Sequence, residues 1–392
     1  MRITNFLLLI LVIFFSGCSR SSGKVEFNAF LPLTGELSFL GDPGKIALQI
    51  AEEEINANGG IGGRQLQVNY YDTQGNPTMS KILFDRLPKN LYSRSVLSTL
   101  SGVSLELAKI SGSKYDAKED KKRILQFVLA IHPDIVKSDY RNIRLCYNAQ
   151  NEASLLVEAI KKDDPKKIAA LISLDAVSKI EYEDYIKPGI SKGLKNVDIV
   201  EETFNIGQSD FKVIMDRVER YNPDIILVLG YGSDFKIIME TLYKYESLQN
   251  KRVFGGIGFI ELPDYVDTRK YDNVVFTTPE ILIKEQSEWS EKFKKFVSKY
   301  KKKCRDCNIP PYDAIYTYES IMLWKYALDS LLIDHNISDI TPEMIYDFIV
   351  QNVKEYDGIS GKIKMDKGDS YPLIKLARYS TINDKKMLIY KE

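Results

Sequence analysis

Val25-Glu26-Phe27-Asn28-Ala29-Phe30-Leu31-Pro32-Leu33, a loop carrying Gly35 and Gly41, and then Asp42-Pro43-Gly44-Lys45-Ile46-Ala47 decide how the rest of the chain is read. The first run is strand-like and stops at its proline. Asp42-Pro43 offers a helix N-cap followed by a proline at the first helical position, and Ala47, Ile50, Ala51 and Ile55 then recur at helical spacing. Asn58-Gly59-Gly60 stops that helix, and residues 66–71 form a second strand. A strand, a helix and another strand within residues 25–71 predict a parallel sheet.

The alternation continues outward. Strands are expected at 95–100, 124–129, 167–174, 197–204, 224–230, 253–257 and 273–277, with helices at 153–161, 183–193 and 211–221. Two longer helices follow: Trp289, Phe293, Phe296 and Tyr300 share one face of the first, and residues 314–331 make the second. That aromatic stripe has the spacing burial alone produces, so it reads as core. Two doubly wound α/β lobes are predicted.

With 392 residues the chain is long enough for two or three domains. Lys+Arg and Asp+Glu both number 54, so no charge excess points to nucleic acid. Arg2 precedes an apolar run from Phe6 to Phe15, too short to span a bilayer, and Ser16-Gly17-Cys18 follows. This is the pattern of an export signal whose end resembles a bacterial lipobox. Residues 1–17 are therefore expected to be removed, Cys18 to carry lipid, and residues 18–23 to tether a body outside the cytoplasm.

The motifs in the body resemble those of one family. Pro32-Leu33-Thr34-Gly35, Gly41, Glu54-Ile55-Asn56-Ala57-Asn58-Gly59-Gly60-Ile61-Gly62-Gly63-Arg64 and Tyr71-Asp72 resemble the N-terminal signature of the type I periplasmic substrate-binding proteins of the leucine/isoleucine/valine group, which feed ABC importers. Gly207-Gln208-Ser209-Asp210-Phe211 with Asn222-Pro223-Asp224, Tyr312-Asp313-Ala314 and the run 357–369 resemble later parts of the same family, in order. The resemblance implies two lobes joined by three crossover strands, with a ligand cleft between them and closure about a hinge. Lobe 1 would hold residues 24–147 and 278–356, and lobe 2 residues 148–277 and 357–392.

The resemblance also implies where ligand would bind. Hydroxyls and backbone N–H groups of the first lobe hold the carboxylate of an amino acid, while an acid and a tyrosine of the second address its ammonium. Residue by residue, the first loop falls on Ser101, Gly102 and Ser104, and the second on Ala130, Ile131 and His132, with Ile131 where the family has threonine. The ligand aromatic falls near Phe39 and Leu40, the tyrosine on Tyr231 and the acid near Ile257. A buried ammonium without its acid is costly. Three readings stand: the cleft suits a more apolar or anionic ligand, Asp175 or Asp234 supplies the charge, or the lobe pair binds no small molecule.

Other signals carry less. Gly41-Asp42-Pro43-Gly44-Lys45-Ile46 lacks both the first glycine and the hydroxyl of a phosphate-binding loop. Gly59 to Gly63 reads as a helix stop and turn. Cys304-Arg305-Asp306-Cys307 has too few further ligands for zinc, and after export reads as a local disulfide or a free dithiol. Cys146 reads as a buried small residue, and His132 before Pro133 either meets ligand or caps a turn. No catalytic triad, metal site or cofactor is expected. The expected role is a monomeric, lipid-anchored binding protein that delivers a small molecule to an ABC permease without performing chemistry. A sensory or adaptor lipoprotein with the same fold is the competing class.

Overall fold

Strand β1 (Val25–Leu31) is buried along its length apart from Glu26 because it has a neighbour on each side. It runs parallel to β2 (Leu66–Asp72), with Phe27 opposite Val68, and parallel to a strand at 95–99, with Asn28 opposite Val96. Between them, helix α1 (Ser38–Ala57) starts earlier than Asp42-Pro43 implied, so Pro43 lies inside it rather than at its first position. Close packing overrides the local start signal: a Cβ on Gly41 would fall 2.1 Å from the Pro32 carbonyl oxygen, so only glycine lets this part of α1 lie against the end of β1. At the far end, the Asn56 side chain accepts the Leu66 N–H at 2.7 Å and donates to the Leu66 carbonyl at 2.9 Å. This pair fixes where β2 begins. Asp72 accepts from the Leu33 N–H at 2.9 Å and the Thr34 hydroxyl at 2.6 Å, which ties the loop after β1 to the end of β2.

This computed structural model describes residues 23–35, 37–87, 95–111, 124–136, 141–264, 267–304, 307, 309–379 and 387–389. The export signal and Cys18 lie outside the described residues. In chain order the first lobe continues with α2 (Pro77–Phe84), β3 (Ser95–Thr99), α3 (Ser101–Ser111), β4 (Leu125–Leu129) and β5 (Asn142–Arg144). Its sheet is all parallel, in the order β2-β1-β3-β4-β5.

The chain then crosses to the second lobe: α4 (Ala149–Lys162), β6 (Lys167–Ser173), α5 (Ala176–Ile180), a π-helical turn (Glu181–Ile186), α6 (Lys187–Gly193), β7 (Asp198–Phe204), α7 (Lys212–Tyr221), β8 (Ile225–Leu229), α8 (Gly232–Leu242), β9 (Arg252–Gly255) and β10 (Val274–Pro279). It returns with α9 (Glu291–Lys303), α10 (Tyr312–Leu331), α11 (Pro342–Asn352), β11 (Glu355–Asp357), β12 (Lys362–Asp366) and β13 (Asp369–Tyr371), then crosses again to β14 (Ile374–Tyr379) and β15 (Met387–Ile389). The second sheet has the order β15-β14-β10-β9-β8-β6-β7, antiparallel only at β14 and β15.

The third crossing falls after Tyr371, later than the boundary expected at residue 357. In β12, Ile363 and Met365 are buried while Lys362, Lys364 and Asp366 are exposed, and the buried pair joins the core that holds Phe27 and Trp324. The Arg144 N–H donates to the Gly368 carbonyl at 2.8 Å, so the hairpin also abuts the end of β5. The alternation of β12 thus assigns it to the first lobe.

The aromatic stripe is core. Phe293, Phe296 and Tyr300 are buried on α9. Trp289 precedes that helix, and its ring meets Phe293 edge-on at 5.0 Å. Cys304 and Cys307 are joined by a disulfide. Cys146 is a free, buried thiol, pushed up to about 12 by its burial. Among the described residues no helix is long and apolar enough to cross a membrane.

Candidate ligand-binding cleft

Between the lobes lies a cleft with about 770 Å³ of space free of protein atoms, its open mouth included. Its walls are the carboxyl ends of strands from both sheets: Thr99 and Leu129 in the first lobe, Leu229 and the segment after β9 in the second. Open α/β sheets present their ligand sites at this end.

In the first lobe the chain turns from β3 into α3 through Leu100, whose φ of +69° is left-handed despite its Cβ. That turn brings Ser101, the first residue of α3, to the cleft wall. The opening amides of any helix lack intrahelical partners and favour negative charge. Thr99 lies beside them, and its buried hydroxyl has no hydrogen-bond partner. Leu40, Ala130, Ile131 and Tyr147 supply much of the remaining first-lobe lining, and Tyr312 and Asp313 open α10 at the same cavity.

Carboxyl groups mark the second lobe. Glu152 on α4 accepts the Ile257 N–H at 2.6 Å and also takes a hydrogen bond from the Thr277 hydroxyl. Glu181, the first residue of the π-helical turn, is hydrogen-bonded to Glu152. π-Turns often occur at functional positions. Burial, then the charges of Glu152 and Asp175, hold Glu181 well above the ordinary carboxyl range. Burial also raises Glu152, opposed by its hydrogen bonds from Thr277 and the Ile257 N–H. Both shifts run upward, as two carboxyl groups buried side by side require. Asp175 caps α5 by accepting the Val177 and Ser178 N–H groups at 2.8 and 2.9 Å through one oxygen. Its other oxygen, like Oε1 of Glu181, is buried without a partner.

Of the residues expected at the site, Leu40, Ser101, Ala130, Ile131, Tyr231 and Ile257 line the cleft. Phe39, Gly102, Ser104 and His132 do not. The Ser104 hydroxyl pairs with that of Ser98 at 2.7 Å, because its place on α3 turns it toward β3 instead of the cavity. Gly102 faces Pro77, whose Cγ would lie 3.1 Å from a Cβ. His132 accepts the Asp134 N–H through Nδ1 at 3.1 Å, capping the turn at Pro133. Phe39 lies on α1 one position before the residue that reaches the cleft.

The acid missing at position 257 arrives from elsewhere. Asp175 lines the cleft as one alternative required, whereas Asp234 is buried away from it and accepts the Gly207 N–H at 2.8 Å. Glu152 and Glu181 are functional candidates that sequence reasoning missed. Their signal was faint: Gly256 has no side chain because a Cβ there would sit 2.9 Å from the Glu152 carboxylate.

The Periplasmic binding protein family matches residues 25–373. The chain belongs to that family. It is 22% identical over 235 residues to the Leu/Ile/Val-binding protein BraC3 of Rhizobium johnstonii, covering 60% of this chain and 61% of that protein. It is 24% identical over 215 residues to the Leu/Ile/Val-binding protein of Escherichia coli K12, covering 53% and 54%. The chain thus matches a little over half to about three fifths of the length of these relatives. In fold it is similar to the Streptococcus pneumoniae branched-chain amino acid transporter substrate-binding protein LivJ in complex with isoleucine, with a TM-score of 0.76 at 19% identity over 94% of this chain and 100% of that one. A Rhodopseudomonas palustris ABC-transporter solute-binding protein in complex with 3,4-dihydroxybenzoic acid has a TM-score of 0.75 at 19% identity, over 93% and 96%. The fold is that of the type I periplasmic binding proteins.

Proposed function

We propose that this protein, anchored outside the cytoplasm through lipid on Cys18, captures a small ligand bearing a protonated nitrogen and delivers it to an ABC permease. The arrangement of the cleft carries the reading: the Thr99 hydroxyl and the start of α3 stand on the first lobe, and Glu152, Asp175 and Glu181 on the second. An acceptor-rich end of the ligand suits the first wall, its nitrogen the second, and its apolar part Leu40, Ile131 and Ile257. Tyr231, at the N-cap of α8, adds an aromatic surface on the second lobe.

A purely anionic ligand would meet several carboxyl groups, so the carboxyl-lined wall argues against it. The work of the cleft is binding alone. A ligand contacting both lobes favours the closed form by its differential affinity, and a permease reads closure.

Small-angle scattering of the purified protein with and without a mixture of free amino acids and amines tests capture: compaction and a raised unfolding midpoint are expected. Uptake assays in cells lacking the protein test delivery. Loss of uptake supports transport, whereas intact uptake with loss of a response to the compound would replace delivery with sensing.

A further inference from the structure

Three carboxyl groups in a buried cleft need a counter-charge, and the lining supplies none: among the described residues that form the cavity there is no lysine, arginine or histidine. Glu152 and Glu181 lie against each other, and one proton shared between them would leave one negative charge on the pair. Asp175 adds a second carboxylate from the start of α5. Two buried oxygens in this group, Glu181 Oε1 and Asp175 Oδ2, have no hydrogen-bond partner, and both residues line the cavity. Glu181 is only 4% exposed, so these are donor-seeking atoms and not a solvated acidic surface. A fourth carboxyl, Asp313 in the first turn of α10, also lines the cavity.

From this balance we propose that the ligand carries more positive than negative charge: an amino acid with a second protonated nitrogen on its side chain, or a short diamine. A leucine-like zwitterion brings one ammonium, which neutralises one of the two negative charges and leaves the other enclosed when the lobes close. An uncompensated enclosed charge is strongly unfavourable. A second nitrogen removes that imbalance and supplies donors to the two orphaned oxygens. An organic cation fits better than a metal ion, because among the described residues no three His, Cys, Asp or Glu side chains are grouped to hold a metal. This inference rests on the solute-binding reading above and narrows its ligand class.

The test is thermal unfolding and calorimetric titration of the protein with L-lysine, L-ornithine and cadaverine in one set, and L-leucine, L-isoleucine and benzoate in the other. The expected result is a midpoint raised by several degrees by at least one member of the first set and by none of the second. A shift with leucine, isoleucine or benzoate equal to or larger than that with the cations overturns the charge inference while leaving solute binding intact. Silence from every compound counts against both. Glu181→Gln supplies the second arm: it should weaken binding of the active cation at least tenfold, while the free variant unfolds no earlier than the parent because the amide can still donate to Glu152 and one buried carboxyl has been removed from the cluster. Unchanged affinity in that variant would also overturn the proposal.

Discussion

The carboxylate of Glu152 accepts the backbone N–H of Ile257 at 2.6 Å, although the two lie 105 positions apart in sequence. The contact joins the first helix of the second lobe to the segment leaving β9, at the floor of the cleft. It depends on Gly256, where a Cβ would stand 2.9 Å from the same oxygen.

Gly256→Ala should therefore disturb the cleft more than the fold. The Glu152 side chain must shift, and the Ile257 N–H is left without its acceptor, a loss of about 1 to 3 kcal/mol. Urea denaturation should show that loss. Titration with whichever ligand binds the parent should show affinity reduced by roughly tenfold or more, the equivalent of about 1.4 kcal/mol. Parental affinity in the variant would mean that the Glu152–Ile257 contact does not shape the site.

Stability should fall as pH rises from about 5 to 8. Burial pushes Glu319 up to about 7, against the opposing hydrogen bonds from the Ser360 N–H and hydroxyl, and burial likewise pushes Asp313 up to about 7. Acids raised in the folded state bind more protons there than in the unfolded chain. Their contribution is fully present below the ordinary carboxyl range and is lost as pH rises through about 7. Glu152 and Glu181 act in the same direction. Glu319→Gln should flatten the profile by on the order of 3 kcal/mol across that window. Urea midpoints measured at several pH values check this, and a profile as steep as the parent's would count against Glu319 as a source.

Asp369→Ala should weaken the junction between the lobes. Asp369 pairs with the fully buried Arg144 at 2.9 Å and accepts from Asn148 Nδ2 at 3.1 Å. Arg144 ends β5, Asn148 caps α4 and Asp369 begins β13, so one carboxylate ties together two of the connecting segments. Removing it strands a buried guanidinium, which costs about 3 to 5 kcal/mol. The unfolding midpoint should drop accordingly, and scattering of the ligand-free variant should show a broader spread of lobe arrangements. A midpoint within a degree of the parent would rule out this role.

Much of the architecture was legible because its signals are local. Runs such as 167–174 and 224–230 match β6 and β8 closely, since strands buried on both faces are continuous apolar stretches that need no partner to be recognised. The start of α1 was misread because Asp42-Pro43 is a good local cap, and only the contact of Gly41 with Pro32 shows that the helix has already begun. The small sheet was assigned to the wrong lobe for a similar reason: sequence shows that Ile363 and Met365 share a face, but not which core that face meets.

The site divides along the same line. Sequence alone determined the alternation of strands and helices, the two-lobed plan and the loops that reach the cleft, through Ser101, Ile131, Tyr231 and Ile257. The alternation and the two-lobed plan follow from periodicity, whereas it was the resemblance to the family that pointed to those loops. Tertiary structure alone decided the charge of the cleft, because Glu152 on α4 joins Asp175 and Glu181, which flank α5 on one helical run, into a single acidic wall only when those elements pack. A position-by-position reading looked for the acid at residue 257 and found isoleucine. Folding places a carboxylate against that residue's backbone, since electrostatic fields depend on distance in space and not on separation along the chain.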